Sequence, residues 1–488
     1  MTQDEQHLDL LAIFHYIVGG LTALFSCIFL LHVAMGIAMR RWILAAAMLS
    51  AFSTYAAEEQ IEMKPPPRVE KSLDIAEVPA DFPVGFCLLT HGRRQYVAYY
   101  NKYRCMTVAS RTIDSNEWQY QVLPSKVGWD GHNYITMAMD DGGYLHLSGN
   151  MHGVPLIYFR TSAPWNIATL KQLPAMTGKD EKLCTYPAFL RDANNRLIFH
   201  YRDGESGNGN EIYNVYDLET KTWKRLLDKP LTDGKGKMCA YFLGPLRGPD
   251  GWFHIVWVWR DTAYCETNHH LSYARSRDLI HWESASGKKA NLPITLNNKS
   301  LWVDPIPSGG GIINNCQKLA FDQGNRPIVT YHKSDTNGNM QVYATRFENG
   351  NWVQHRLTDW SKPVKFSGAG SMNIGIEISG LTRVEPGTLT MTYGHTDYGS
   401  GHLVIDEATL GPINKKIAIT KMYPDELERP QIDFEGIVIQ RAGDIGSSGE
   451  EGVQYILQWE TLPVNQDLPH ERLPPTPSML KLYKLSSK

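Results

Sequence analysis

The sequence has almost no net charge. Its 48 Lys and Arg stand against 51 Asp and Glu, leaving −3 over 488 residues, with both signs mixed and no basic run. That excludes a nucleic-acid binder held by bulk electrostatics, because nothing is in excess to neutralise a phosphate backbone. The seven cysteines include no CxxC pair and show no ladder of the kind that staples small secreted proteins, so spacing alone decides neither disulfides nor metal. Beyond about residue 80 no long helical periodicity is present, only short β-rich runs separated by Gly, Asn, Asp and Pro. What remains is rich in apolar residues (42%), with 13 Trp, 24 Tyr, 41 Gly and 27 Pro. This composition fits a turn-rich all-β protein with a sizeable core and aromatic surfaces of the kind sugars stack on.

The N-terminus reads as an address. Leu10 to Met39 contain no charged residue, long enough to span a bilayer. Read from Met39, however, residues 39–57 form a complete secretory signal: basic Arg40 and Arg41, a short apolar centre, and small residues at Ala56 and Ala57. The expectation is a targeting region over 1–57, with 39–57 the signal peptide and 1–38 an upstream mis-called start; a membrane anchor within 10–38 is the alternative. Either way the remainder is expected to be secreted or periplasmic. Residues 58–79, with Lys64-Pro-Pro-Pro-Arg68, read as a linker before one domain at 80–488.

One phrase recurs through that domain: an acidic or Gly/Asn turn, an apolar strand ending in a polar residue, then a second strand with aromatics. It begins at Asp140, Asp192, Asp250 and Asp322, and a Trp follows near the unit's end at Trp223, Trp282 and Trp352. Units of 50 to 70 residues with about four short strands predict propeller blades, which must stack because one blade alone leaves its faces bare. The length predicts seven.

In such a fold, polar residues at the ends of successive inner strands meet on one face. His132, His152, Tyr186 and Arg202 occupy such positions, and polar groups of this kind resist burial without partners, so they are expected to line a wet cleft. Asn133, Asn150 and Arg160 are secondary substrate-binding candidates. The segments Gly128-Trp-Asp-Gly-His-Asn-Tyr134, Gly149-Asn-Met-His152, Thr185-Tyr-Pro187 and Tyr201-Arg-Asp-Gly204 resemble the propeller polysaccharide lyases that degrade ulvan, lyase families 24 and 25 of the broader BNR-repeat group. The two His lie 20 positions apart and the Tyr and Arg 16 apart. The resemblance implies cleavage of an acidic, sulfated algal polysaccharide by β-elimination. Arg202 then neutralises the carboxylate, His132 and Tyr186 share the roles of base and acid in an order left open, and His152 assists.

Cys265-Glu-Thr-Asn-His-His270, with His332 at a strand end in the next blade, offers N and S ligands of the type zinc accepts; the resemblance implies a structural zinc, and no organic cofactor is expected. Two rivals are weighed. A propeller glycoside hydrolase needs paired carboxylates, for which Asp130, Asp203 and Asp261 are available, or a sialidase-like triad from Arg202, Arg260 and Arg275, although the Asp-box Ser-x-Asp-x-Gly-x-x-Trp is missing. A non-catalytic carbohydrate-binding propeller is the other.

Overall fold

The computed structural model describes residues 62–487; the expected signal and anchor segments lie outside them. Among the described residues no helix is long and apolar enough to cross a membrane. They form seven sheets of four or five strands, plus one two-stranded pair. The first sheet runs from Cys87–His91 through Arg94–Tyr100 and Cys105–Thr112 to Gln119–Lys126, each strand antiparallel to the one before. The second to fifth repeat this meander, with inner strands at Ile135–Met139, Cys184–Arg191, Cys239–Arg247 and Lys318–Phe321, whereas in the sixth Ile376–Ile378 and Thr382–Glu385 both pair with Thr388–His395, itself paired with Gly399–Asp406. The chain is a seven-bladed β-propeller.

The ring is closed by a strand the sequence reading placed in the linker. Arg68–Val78 pairs along its length with Ser478–Ser486 and is the fourth strand of the last blade, beside Val438–Gly443 and Val453–Thr461. The domain therefore starts before residue 80. The reason is legible afterwards: Arg68-Val-Glu-Lys-Ser-Leu-Asp-Ile alternates exposed and half-buried positions, as an edge strand covered on one face does. Fastening Arg68–Val78 to the last three strands makes opening the ring cost a whole sheet edge.

The core lies in the wedges between blades rather than in a single centre. Trp257, Trp259 and Trp282 pack with Ile198 and Tyr213 between the third and fourth blades, and Tyr158, Phe199 and Trp223 between the second and third. The recurrent Asp organises each unit. Oδ1 of Asp140 accepts from the backbone N of Gly142 and Tyr144, and Oδ1 of Asp192 and of Asp322 repeats this at the residues two and four positions on. Each is a side-chain-capped turn joining the first two strands of its blade. In the second blade Asp140 continues into a buried chain: its Oδ2 meets Nε2 of His146 (3.2 Å), Nδ1 of His146 meets the Tyr158 hydroxyl (2.8 Å), and Nε1 of Trp223 in the next blade donates to that hydroxyl (3.1 Å). The fourth blade repeats it with Asp250, His254 and Tyr273, on which Trp352 of the fifth packs edge-on at 5.2 Å. In these two blades the Asp and the Trp of the following blade are thus the two ends of an inter-blade bolt.

Candidate active site

The opposite rim carries the candidate residues. The loop entering the second blade, Gly128-Trp-Asp-Gly-His132, is held from outside by Arg104, whose guanidinium lies 3.8 Å from the Trp129 ring centroid and bonds Gly128 O and Asp81. Gly131 fits because its backbone crosses Pro83 O so closely that a Cβ would stand 2.7 Å from it. This turn aims Asp130 at two imidazoles. Its Oδ1 meets Nδ1 of His132 at 2.6 Å, and its Oδ2 makes a short contact with Nδ1 of His152. Burial raises the Asp130 carboxyl, but the hydrogen bonds and charges of the two histidines outweigh it and hold it well below the usual carboxylate range. The imidazole rings lie 4.4 Å apart. With both Nδ1 atoms spent on one carboxylate, each ring keeps Nε2 for the cleft.

Tyr186 lies 5.9 Å from His132 and 6.4 Å from His152, ring to ring. Its φ of +55° falls where the ladder between the first two strands of the third blade slips between Thr185 and Ala188. A non-glycine residue held in that region by a bulge marks strain retained for placement. Burial raises the Tyr186 phenol far above its ordinary value, although the charge of Arg202 pulls the other way. The Arg202 guanidinium stands 5.0 Å from the Tyr186 ring and 5.5 Å from that of Tyr241. It is only 2% exposed, and its Nε and Nη1 have no hydrogen-bond partner among the described residues. Gly209 makes room for it: a Cβ there would stand 2.8 Å from Arg202 Cδ.

All four primary candidates therefore come together. Two adjoining cavities, of about 400 and 550 Å³, share His132, Asn315, Ser371 and Val464; the larger also exposes Tyr186 and Tyr241, the smaller Arg260 and Lys318. Tyr241 and Arg260 repeat in the fourth blade what Tyr186 and Arg202 do in the third, following Cys239 as Tyr186 follows Cys184; the shared Cys-x-Tyr was the signal available in the sequence. Asp467 was also missed. Its Oδ2 lies 3.7 Å from Nδ1 of His132, reaching in from the last blade.

The secondary candidates do not line these cavities. The Asn150 amide, at φ +57°, donates to Ser125 and Lys126 O. Arg160 bonds the Tyr216 hydroxyl and Lys221 O in the wedge between blades. Asn133 gives its carbonyl to the Tyr100 hydroxyl. Asn150 and Arg160 thus serve the scaffold.

The expected zinc ligands do not assemble either. Cys265 Sγ faces Glu266 and Met372; His269 is taken by Asp261 and by His270; His332 Nδ1 meets Gly311 O. Four donors on one point are required, whereas the one group of three ligand-type side chains close enough to share an ion among the described residues is Asp130, His132 and His152, whose facing atoms are already hydrogen-bonded to one another. The sequence reading overlooked Cys316, the actual partner of His332: burial raises this thiol, but the neighbouring imidazole more than compensates and lowers it. All six described cysteines are free. The arginine triad fails as well, because Arg275 pairs with Glu283 and stacks on Trp252 in the turn at the far rim.

A family model described as a BNR repeat-containing family member matches residues 94–360. The chain belongs to this BNR-repeat family. Among solved structures, the propeller is similar to the polysaccharide lyase Uly1 (TM-score 0.58, 12% identity, covering 86% of this chain and 100% of that one). It is similar also to a PL25 ulvan lyase, known alone and bound to -[GlcA(1-4)Rha3S]- (TM-score 0.55, 12% identity, 86% and 96% coverage). At that identity the likeness speaks for the fold. No curated protein matches this BNR-repeat chain in sequence.

Proposed function

We propose that this BNR-repeat propeller is a polysaccharide lyase that cleaves a uronate-containing, sulfated polymer of the ulvan type by β-elimination, acting outside the cytoplasm. The observation carrying the proposal is the convergence of two carboxylate-anchored imidazoles, a strained phenol and, behind the phenol, a buried guanidinium, with His132 and Tyr186 on the cavity wall. The glucuronate–rhamnose-sulfate chain bound to the structurally similar PL25 ulvan lyase supports the choice of polymer. Elimination begins when a base takes the proton at C5, alpha to the carboxylate. The electrons form the C4–C5 double bond, the C4–O bond breaks, and an acid protonates the departing oxygen.

His132 suits the base, since Asp130 holds Nδ1 and turns Nε2 outward, the orientation a proton acceptor needs. Tyr186 suits the acid, because burial keeps its phenol protonated. Arg202 acts from behind Tyr186 and Tyr241: in a poorly screened interior its charge steadies the enolate-like state without lying in the open cleft. The test is incubation with a panel of uronate polysaccharides, following ultraviolet absorbance and product mass. New absorbance with chain scission is expected. Scission without a double bond makes the protein a hydrolase, and no scission makes it a lectin.

A further inference from the structure

One buried histidine in the larger cavity is built differently from the histidines of the scaffold. His200, on the strand Leu197–Glu205, is 8% exposed and lies two positions before Arg202, on the same face. Its Nδ1 meets Oε1 of Glu211 at 2.7 Å, and its ring stacks on Tyr213 at 5.0 Å with a 13° tilt. Orientation and tilt are therefore both fixed. Yet Nε2 has no partner among the described residues, whereas the scaffold residues His146 and His254 use both ring nitrogens. His200 and Glu211 line the cavity that also holds His132, Tyr186 and Tyr241, beside the apolar surfaces of Ala188, Ala240 and Phe242.

An apolar wall with a few fixed polar points is how a pocket grips a sugar ring, its faces against carbon and its hydroxyls against directed donors and acceptors. A carboxylate on Nδ1 fixes the imidazole so that Nε2 is the recognising atom. We infer that His200 is a substrate-binding residue whose Nε2 bonds a hydroxyl of a sugar unit lying in the larger cavity, with Glu211 and Tyr213 as its positioning residues. This rests on the lyase reading only for the identity of the sugar; its geometry stands apart from the elimination step.

The test uses uronate tetrasaccharides prepared from ulvan as probe, titrated calorimetrically into the full chain carrying His132→Ala so that the probe is bound but not cleaved. Adding His200→Phe is expected to weaken binding about tenfold or more, the loss of one directed hydrogen bond beside an apolar wall. His200→Gln, whose amide nitrogen reaches near the place of Nε2, is expected to recover most of it. Glu211→Gln falls between, because the ring is then free to present the wrong nitrogen. In the otherwise native enzyme, KM rises by a similar factor for His200→Phe while kcat changes little. Unchanged affinity in a folded His200→Phe protein overturns the inference, as does absence of any probe binding before His200 is altered. If His200→Phe fails to fold, His200→Gln and Glu211→Gln decide: both indistinguishable from their parent overturns it. A wild-type protein that binds the tetrasaccharide through His200 but yields no double bond leaves the inference standing and removes the lyase reading. Normal elimination with an unchanged KM in His200→Phe does the reverse.

Discussion

Two histidine clusters at opposite rims of the second blade have opposite chemistry. At one rim His146 is fully buried, and Asp140 and Tyr158 take both of its nitrogens. At the other, His132 and His152 are about one-quarter exposed and share the single carboxylate of Asp130 through Nδ1 alone. Both clusters pair imidazole with Asp, so residue type does not separate scaffold from site. What separates them is whether the bonding is finished. A closed chain of donors and acceptors stabilises, while a chain that stops at an open nitrogen is available for a substrate. Arg202, buried with two unpartnered nitrogens, belongs to the second kind.

Breaking the open cluster should cost activity and leave stability alone. His132→Ala is expected to lower formation of the ultraviolet-absorbing product by about 10²–10⁴-fold, with little change in melting temperature. Near-normal activity in that variant would falsify the assignment. Breaking the closed cluster should do the converse. His146→Ala takes one bond each from Asp140 Oδ2 and the Tyr158 hydroxyl and leaves a cavity, for a loss of about 2–4 kcal/mol; activity per folded molecule, measured well below the melting range, should be unchanged. A large activity loss there would erase the distinction between the rims.

Acidity offers a gentler probe. Burial lowers both His146 and His254 below the ordinary histidine value, although Asp140 and Asp250 oppose it. A group whose folded value is lowered binds fewer protons in the native state than in the unfolded chain. Stability therefore rises with pH through that window and is lost as pH falls below about 6.5, by at most about 1.4 kcal/mol per pH unit for each group. Denaturant melts between pH 7.5 and 5.5 should show the slope, and His254→Gln should reduce it. An identical slope in that variant assigns the effect to other groups.

How much of this could be read from the sequence follows the same division. The blades were legible because the Asp turn and the Trp recur at similar intervals, and in the second and fourth blades they prove to be parts of an inter-blade bolt. His132, His152, Tyr186 and Arg202 were legible because strand ends of neighbouring blades must meet at the rim. The closing strand Arg68–Val78 was not, since its partner lies some 400 residues away and only ring closure brings them together. Asn150 and Arg160 misled because a polar residue near a strand end satisfies local backbone as readily as it binds sugar. The zinc set misled because proximity in sequence was read as proximity of ligand atoms, whereas His269 turns to Asp261 and His332 to Cys316.

The subtlest test concerns a contribution that crosses the ring. Asp467 comes from the loop between the second and third strands of the last blade, and the left-handed backbone at Gln466 and Asp467 (φ 52° and 62°) turns its carboxylate toward His132. Ser371 anchors the turn, accepting from Gln466 N at 2.8 Å and donating its own N to Asp467 Oδ2 at 3.3 Å. Asp467→Asn isolates the charge, because Asn tolerates the left-handed region and can still accept from Ser371. At 3.7 Å the second carboxylate supports the imidazole more weakly than Asp130 at 2.6 Å, so a fall in kcat of about three- to tenfold is expected, with KM and melting temperature nearly unchanged. Asp467→Ala, which also strains the turn, should lose stability as well. If Asp467→Asn keeps full kcat, the last blade contributes only a wall to the cleft, and the open cluster is complete within the second and third blades.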